Sequence, residues 1–168
     1  FFKISQGDMV LAFNPVNKSS KSNISAHFGS DIALITTNHP LFNGVEQLSH
    51  GERMPFVING PGDYEVKEIF IKGGISNSII SHKNYIITIY SFTLDNINVT
   101  FLGALQNPDL SKETRESIGN PDIIFVPIGG KSDSEGKEVN LLDPKGAAKF
   151  ALSFEPKLII PMSYDDAS

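Results

Sequence analysis

The chain has 168 residues, 40% of them hydrophobic and 20% charged, which is typical of a folded globular protein. Its net charge is −5, and the 14 Lys and Arg residues are scattered along the chain, which argues against a nucleic-acid-binding surface. Cysteine is absent, so disulfides and thiolate metal sites are excluded, and no apolar run reaches the roughly 18–20 residues of a membrane span. We therefore predict a single cytoplasmic domain over residues 1–168 that contacts neither nucleic acid nor membrane.

The first two thirds of the chain are predicted to be rich in short strands. Apolar or alternating runs bounded by turn residues predict these strands: Phe1–Ser5, Met9–Phe13, Asp31–Thr36, Pro55–Asn59, Tyr64–Val66, Ile69–Lys72, Ile75–Ile80, Tyr85–Thr93 and Ile97–Leu102. The polar segment Asn17–Ser25 predicts a loop. Leu41–Leu48 follows a proline and repeats apolar residues at helical spacing, so it predicts a short helix.

The last third of the chain predicts two helices, each followed by a strand. A helix over Leu110–Ile118, capped by Ser111, precedes the apolar strand Ile123–Val126. A helix over Asp143–Phe154, which opens with an Asp-Pro pair, precedes the apolar strand Lys157–Pro161. Strands that are apolar throughout and follow helices indicate sheets whose outer faces are covered by helices.

Ligands in such folds bind where several strands end at one sheet edge. We expect four strand ends to converge there: Thr36-Thr37, Leu102-Gly103, Pro127-Ile128 and Pro161-Met162. The loop after Asp31–Thr36 is the first candidate for chemistry, because a buried strand there gives way to small polar residues and to His39.

Six segments carry a family resemblance through their order and spacing. They are Leu11-Ala-Phe-Asn-Pro15, Asp31–Gly44, Gly60-Pro-Gly-Asp-Tyr-Glu-Val66, Phe101-Leu-Gly-Ala-Leu105, Pro121–Gly130 and Glu155–Tyr164. Together they resemble the metallo-β-lactamase superfamily, and within it the small Zn-dependent hydrolase branch related to the ascorbate-phosphate lactonases. The resemblance implies an α/β fold, an αββα four-layer sandwich with a metal cleft at one edge. It also implies that the family's first strand would lie before Phe1 and is missing here.

The resemblance also assigns the positions of the family's metal ligands, which are histidines and aspartates. Carried over position by position, these six positions are Thr37, His39, Leu41, Phe42, Ala104 and Ser163. Leucine, phenylalanine and alanine have no donor atom, and neutral hydroxyls are poor zinc donors, so only the histidine remains as a ligand. We therefore expect no metal and no other cofactor.

Three further candidates each allow a functional and a structural interpretation. His39 is either a ligand or general base, or a histidine that is hydrogen-bonded to the local backbone. Asp63 and Glu65 are two residues apart on a strand and face the same way, so they form either a carboxylate pair for a hard cation or a turn aspartate and an exposed glutamate. Gly129-Gly130 forms either an anion-binding bend or a simple turn.

The remaining histidines and hydroxyls carry little functional signal. His27, His50 and His82 lie in polar loops, where a structural role is the expected one. Ser163, beside Tyr164, has no second base nearby in the sequence to activate it as a nucleophile.

Three functional hypotheses follow. The first is a non-catalytic pseudo-hydrolase, retained as a binding or assembly module. The second is a metal-dependent hydrolase of a small phosphorylated or lactone substrate, with zinc or another divalent ion in a site rebuilt from His39, Asp63 and Glu65. The third is a metal-free binder of a lactone or phosphoester in the old cleft. The resemblance further implies a homo-oligomer and a small-molecule ligand in the cleft.

Overall fold

The computed structural model describes residues 1–18, 28–52, 54–130 and 139–164. Most of the predicted loop Asn17–Ser25, and His27 with it, lie outside these ranges. The chain divides into two compact units, Phe1–Gly60 and Pro61–Ser168. Within the described ranges, no helix has the length and apolar character needed to cross a membrane. The single domain over residues 1–168 stays a prediction.

The first unit is built on a four-stranded sheet. Its strands lie in the order β1 (Phe2–Gln6), β2 (Met9–Phe13), β3 (Ile32–Ile35) and β4 (Phe56–Asn59). β1 and β2 form an antiparallel hairpin, whereas β2, β3 and β4 run parallel. All four residues of β3 are buried, which explains its continuous apolar sequence. The four strands confirm the predicted ones to within one residue at each end.

One small apolar cluster of the first unit lies against β2 and β3. Ala12 of β2, Ala33 of β3 and Leu48 are all fully buried, and the ring of Phe28 packs against them. Alanines on neighbouring strands leave room for this leucine and this ring, so the segment that follows β3 returns onto the sheet.

The helix predicted over Leu41–Leu48 is wrong. The only helical structure there is one 3-10 turn, Val45–Gln47. Gly44 explains the difference, because its N–H donates to the carbonyl of Pro15 at 2.7 Å. A Cβ at Gly44 would lie 2.2 Å from the carbonyl carbon and oxygen of Val16. The segment is fixed against the chain that follows β2, which prevents it from winding into an α-helix.

The second unit is built on a six-stranded sheet. Its strands are β5 (Gly62–Val66), β6 (Ile69–Ile80), β7 (Lys83–Leu94), β8 (Ile97–Phe101), β9 (Ile123–Pro127) and β10 (Leu158–Met162). They lie in the spatial order β10-β9-β8-β7-β6-β5. Pairing is antiparallel from β5 to β8 and parallel from β8 to β10.

The prediction of a break at Gly73-Gly74 is wrong, because β6 runs without interruption through both glycines. Gly74 is buried beneath helix α1 (Lys112–Ile118). A Cβ on Gly74 would lie 2.4 Å from the Oγ of Ser117 and 2.9 Å from the Cγ2 of Thr114. The hydroxyl of Thr114 donates to the carbonyl of Ile75 at 2.8 Å. The glycine therefore allows the helix to approach the strand and does not end the strand.

Both helices begin at the predicted caps. The Oγ of Ser111 accepts a hydrogen bond from the N–H of Thr114 at 3.1 Å, at the start of α1. Helix α2 (Pro144–Leu152) has Asp143 as its N-cap. The Oδ1 of Asp143 accepts hydrogen bonds from the N–H groups of Lys145 and Gly146 at 3.1 and 3.0 Å. α1 leads into β9 and α2 into β10, which confirms the two predicted helix–strand pairs.

Candidate functional site

The loop after β3 is held in place by the residue that follows β2. The side-chain oxygen of Asn14 accepts hydrogen bonds from the N–H of Thr36 at 2.9 Å and from its hydroxyl at 3.0 Å, and both residues are buried. Asn14 has a φ of 48°, a conformation that asparagine tolerates better than most residues. A second link joins the N–H of Asn17 to the carbonyl of Pro40 at 2.8 Å. The site loop is thus positioned by hydrogen bonds inside the first unit.

Sequence reasoning missed the role of Asn14. The only signal was its place in Leu11-Ala-Phe-Asn-Pro15, the segment that resembles a family strand end. An asparagine that follows a buried strand and precedes a proline is a common turn residue. Its two long-range hydrogen bonds become visible only when β2 and β3 are adjacent.

Thr37 stands at the position of the first family histidine. It is 2% exposed, and its Oγ1 has no hydrogen-bond partner in the part of the chain that the structure describes. A buried hydroxyl without a partner destabilises a fold by about 1–3 kcal/mol. The site loop therefore carries an energetic cost at the position where the family places a ligand.

His39 is oriented by its own loop. Its Nδ1 accepts a hydrogen bond from the N–H of Leu41 at 3.3 Å, and its carbonyl accepts from the N–H of Phe42 at 2.8 Å. An Nδ1 that accepts a hydrogen bond carries no proton, so the neutral ring has its proton on Nε2. The structural interpretation of His39, a histidine bonded to the local backbone, matches this geometry.

Leu41 and Phe42 occupy two further ligand positions, and both are half-buried. The ring of Phe42 lies with its centre 6.1 Å from that of His39, tilted by 51°. Neither side chain has an atom that can bind a metal ion. His39 is therefore the only nitrogen donor among the four ligand positions of this loop.

Asp63 and Glu65 lie on β5, the edge strand of the second unit. Both are exposed, and they face the same side of the sheet, as the spacing predicts. Their cross-strand neighbours on β6 are Lys72 and Phe70. No three His, Asp or Glu side chains in the described ranges lie close enough together to hold a metal ion. The two carboxylates are thus exposed strand residues in the unit that does not contain His39.

The other two ligand positions lie where the parallel strands of the second unit end. The N–H of Leu102 donates to the carbonyl of Phe125 at 3.2 Å, and the N–H of Ile128 donates to that of Met162 at 3.0 Å. The ends of β8, β9 and β10 therefore lie at one sheet edge, as predicted for these three strands. Ala104 is buried with 1% of its surface exposed, whereas Ser163 is exposed.

The glycine bend is hydrogen-bonded within the backbone of the second unit, and the two remaining described histidines are exposed. The N–H of Gly130 donates to the carbonyl of Leu142 at 3.0 Å, so this N–H is already used by the backbone. His50 and His82 are exposed, and His82 lies in the turn of the β6–β7 hairpin.

The sequence and the fold were compared with known proteins. A family model described as the β-lactamase superfamily domain matches residues 1–163. The chain belongs to the β-lactamase superfamily. A comparison with curated protein sequences finds no match.

Solved structures place this member in the metallo-β-lactamase fold. A metallo-β-lactamase superfamily protein from Thermotoga maritima aligns with a TM-score of 0.73 at 24% identity, over 98% of this chain and 72% of that one. Human tRNase Z, short form, aligns with a TM-score of 0.66 at 9% identity, over 96% of this chain and 84% of that one. The β-hydroxylase CmlA aligns with a TM-score of 0.64 at 11% identity, over 96% of this chain and 44% of that one. These likenesses confirm the predicted α/β fold of metallo-β-lactamase type.

The residues present do not fit the zinc centre that the resemblance implies. Zinc takes three or four nitrogen, oxygen or sulfur donors at about 2.0–2.3 Å. Five of the six ligand positions have an apolar side chain or a neutral hydroxyl, and these are Thr37, Leu41, Phe42, Ala104 and Ser163. His39 alone leaves too few donors for a site of the family's type.

Proposed function

We propose that this chain is a non-catalytic member of the superfamily, a pseudo-hydrolase that acts as a binding or assembly module. The observation that carries the proposal is the apolar replacement at Leu41, Phe42 and Ala104, within a fold that otherwise matches the family. Metal-dependent hydrolysis requires an ion that lowers the pKa of a bound water to near 7. Side chains without donor atoms cannot hold that ion.

The framework around the replaced ligands supports a retained, non-catalytic role. The loop from Thr36 to Pro40 is fixed by hydrogen bonds that Asn14 accepts and that the N–H of Asn17 donates, although most of its family ligands are gone. A fixed loop presents the same surface to every partner, so less conformational entropy is lost when a partner binds. The expected homo-oligomer, the expected small-molecule ligand in the cleft and the expected cytoplasmic location remain predictions that belong to this proposal.

Metal analysis of protein purified without chelator tests the proposal directly. We expect zinc, manganese and iron far below one ion per chain, and no lactonase or phosphodiesterase activity that differs from that of His39→Ala. Stoichiometric metal that is lost in His39→Ala would overturn the proposal. That outcome would instead support the hydrolase with a site rebuilt around His39.

A gain-of-binding variant tests whether the parent chain fails to bind metal because these donors are missing. In the double variant Leu41→Asp/Phe42→His, the loop would offer three donors, including His39 once its Nδ1 gives up the hydrogen bond from the N–H of Leu41. The ring centres of His39 and Phe42 are 6.1 Å apart. Two imidazoles on one zinc, each with Zn–N of about 2.0–2.1 Å, have centres about 5–6 Å apart, so a histidine in place of the phenylalanine is suitably placed.

Calorimetric zinc titration should therefore detect binding to the double variant and none to the parent chain. The matched control carries the same two substitutions plus His39→Ala and should lose the binding. Equal zinc affinity in the parent and the double variant would show that the apolar replacements are not what prevents metal binding.

A further inference from the structure

The end of the β6–β7 hairpin contributes to an open groove with a volume of about 570 Å³. Its side chains are mostly amides, and we call it the amide groove. Its lining includes Asn77, Ile79, His82, Asn84, Gln106 and Asn107. All of them belong to the second unit and none occupies a metal-ligand position of the family.

Strand pairing fixes the hairpin side of the amide groove. Ile79 of β6 pairs directly with Asn84 of β7, and Asn77 lies two residues before Ile79. These three side chains therefore project from the same face of the hairpin. The two-residue turn at Ser81 and His82, with φ of 48° and 62°, closes the hairpin with the geometry of a tight turn.

Two amides on the opposite side are held in fixed orientations. The Oε1 of Gln106 accepts a hydrogen bond from the N–H of Ile79 at 3.0 Å. The Oδ1 of Asn107 accepts from the N–H of Asp109 at 2.9 Å. Because both oxygens are bonded to the backbone, the NH₂ groups of these amides are the donors that they can offer to a ligand.

The hairpin amides belong to exposed side chains. Asn77 and Asn84 are both exposed, and each amide carries both a donor and an acceptor group. Ile79 lies between them in the groove and is 46% exposed. The groove thus combines fixed donors, adaptable donor–acceptor groups and one apolar contact.

We propose that the amide groove binds a neutral polyhydroxylated molecule, a mono- or disaccharide. Most of the described residues that line it are amides, which carry no charge. A hydroxyl both donates and accepts, as an amide does, and Ile79 can contact the C–H face of a sugar ring. The volume is within the range of about 300–1,000 Å³ that is usual for small-molecule sites.

Calorimetry and saturation-transfer NMR with glucose, galactose, maltose and sucrose test the proposal on the intact chain. Gluconate and glucose 6-phosphate serve as charged comparisons. We expect saturable binding of at least one neutral sugar and weaker binding of its charged counterpart. Asn77→Ala and Asn84→Ala should each weaken binding about three- to tenfold, as expected for the loss of one hydrogen bond, and the double variant should abolish it.

Asn59→Ala is the matched control, because Asn59 is also an exposed strand asparagine but lies on β4 in the first unit. It should leave binding unchanged, and unaltered circular dichroism should show that all variants fold. Failure of every neutral sugar to bind, or binding that persists in the double variant, would overturn the proposal. Neither result bears on the proposal that the family's metal centre is lost, which concerns other residues.

Discussion

Two glycines of this chain lie against neighbours of different kinds. At Gly44 an added Cβ would meet the backbone of Val16 at 2.2 Å and the backbone nitrogen of Asn17 at 2.4 Å. At Gly74 the nearest atom would be the side-chain oxygen of Ser117 at 2.4 Å. A side chain can rotate away, whereas a backbone segment that is hydrogen-bonded on both sides cannot.

We predict that Gly44→Ala destabilises the protein by more than 3 kcal/mol and Gly74→Ala by about 1–3 kcal/mol, the usual range for overpacking. Urea denaturation followed by circular dichroism gives both values. Gly74→Ala/Ser117→Ala should recover part of the loss, because Ser117→Ala removes the closest atom. Equal costs at Gly44 and Gly74 would contradict the distinction between backbone and side-chain neighbours.

Some features of the candidate site could be predicted from single residues of the sequence, and one could not. The position of His39 after a buried strand follows from the apolar run that precedes it, and the absence of donors at Leu41 and Phe42 follows from their chemistry. The support from Asn14 could not be predicted, because it depends on which strand lies beside β3. Pairwise contacts across a sheet are not encoded in local pattern.

At the scale of elements, Asp122 joins the starts of three neighbouring strands. Its carboxylate accepts a hydrogen bond from the N–H of Asn98 at 2.8 Å, just inside β8. It also pairs with the Nζ of Lys157 at 2.8 Å, just before β10. The Lys157 side chain, followed by the backbone N–H of Asn98, lowers the pKa of the Asp122 carboxyl below its ordinary value.

This lowered pKa predicts a pH dependence of stability. A carboxyl whose pKa is lower in the folded state stabilises the protein above the ordinary pKa of about 4, and this contribution is lost as the pH falls through the folded value. Wild type should therefore lose more stability than Asp122→Asn on acidification below about pH 4. Urea unfolding of both proteins across that range measures the difference.

The exposed Asp109, before α1, provides Asp109→Asn as a control for the substitution itself. Parallel profiles for wild type and Asp122→Asn would show that Asp122 contributes nothing to acid sensitivity.

Elements that depend on local sequence were predicted correctly, whereas those that depend on contact with another segment were predicted wrongly. The strands and both helix caps follow from apolar runs and from Ser111 and Asp143, which act locally. The two errors, at Leu41–Leu48 and at Gly73-Gly74, share one physical cause. Gly44 and Gly74 serve close approaches of another segment, and a sequence does not show which segment approaches.

At the scale of the whole chain, each unit has its own sheet with its own centre and edges. In the first unit, β3 is paired on both sides and fully buried, whereas β1 and β4 are edge strands. In the second unit, β6, β7, β8 and β9 are internal, and β5 and β10 are the edges. Local opening is hardest where strands are buried and paired on both sides.

Hydrogen exchange followed by mass spectrometry should therefore show one slow region in each unit. Amides of β3, β8 and β9 should exchange last, and those of β1, β4 and β5 first. The N–H of Thr36 should group with the slow amides although it follows the end of β3, because it is bonded to the buried side chain of Asn14. In Asn14→Ala this N–H should exchange faster while the amides of β8 and β9 keep their rates. If the exchange of Thr36 is fast in the parent, or unchanged in Asn14→Ala, the loop is not fixed by Asn14 and is not a preorganised binding surface.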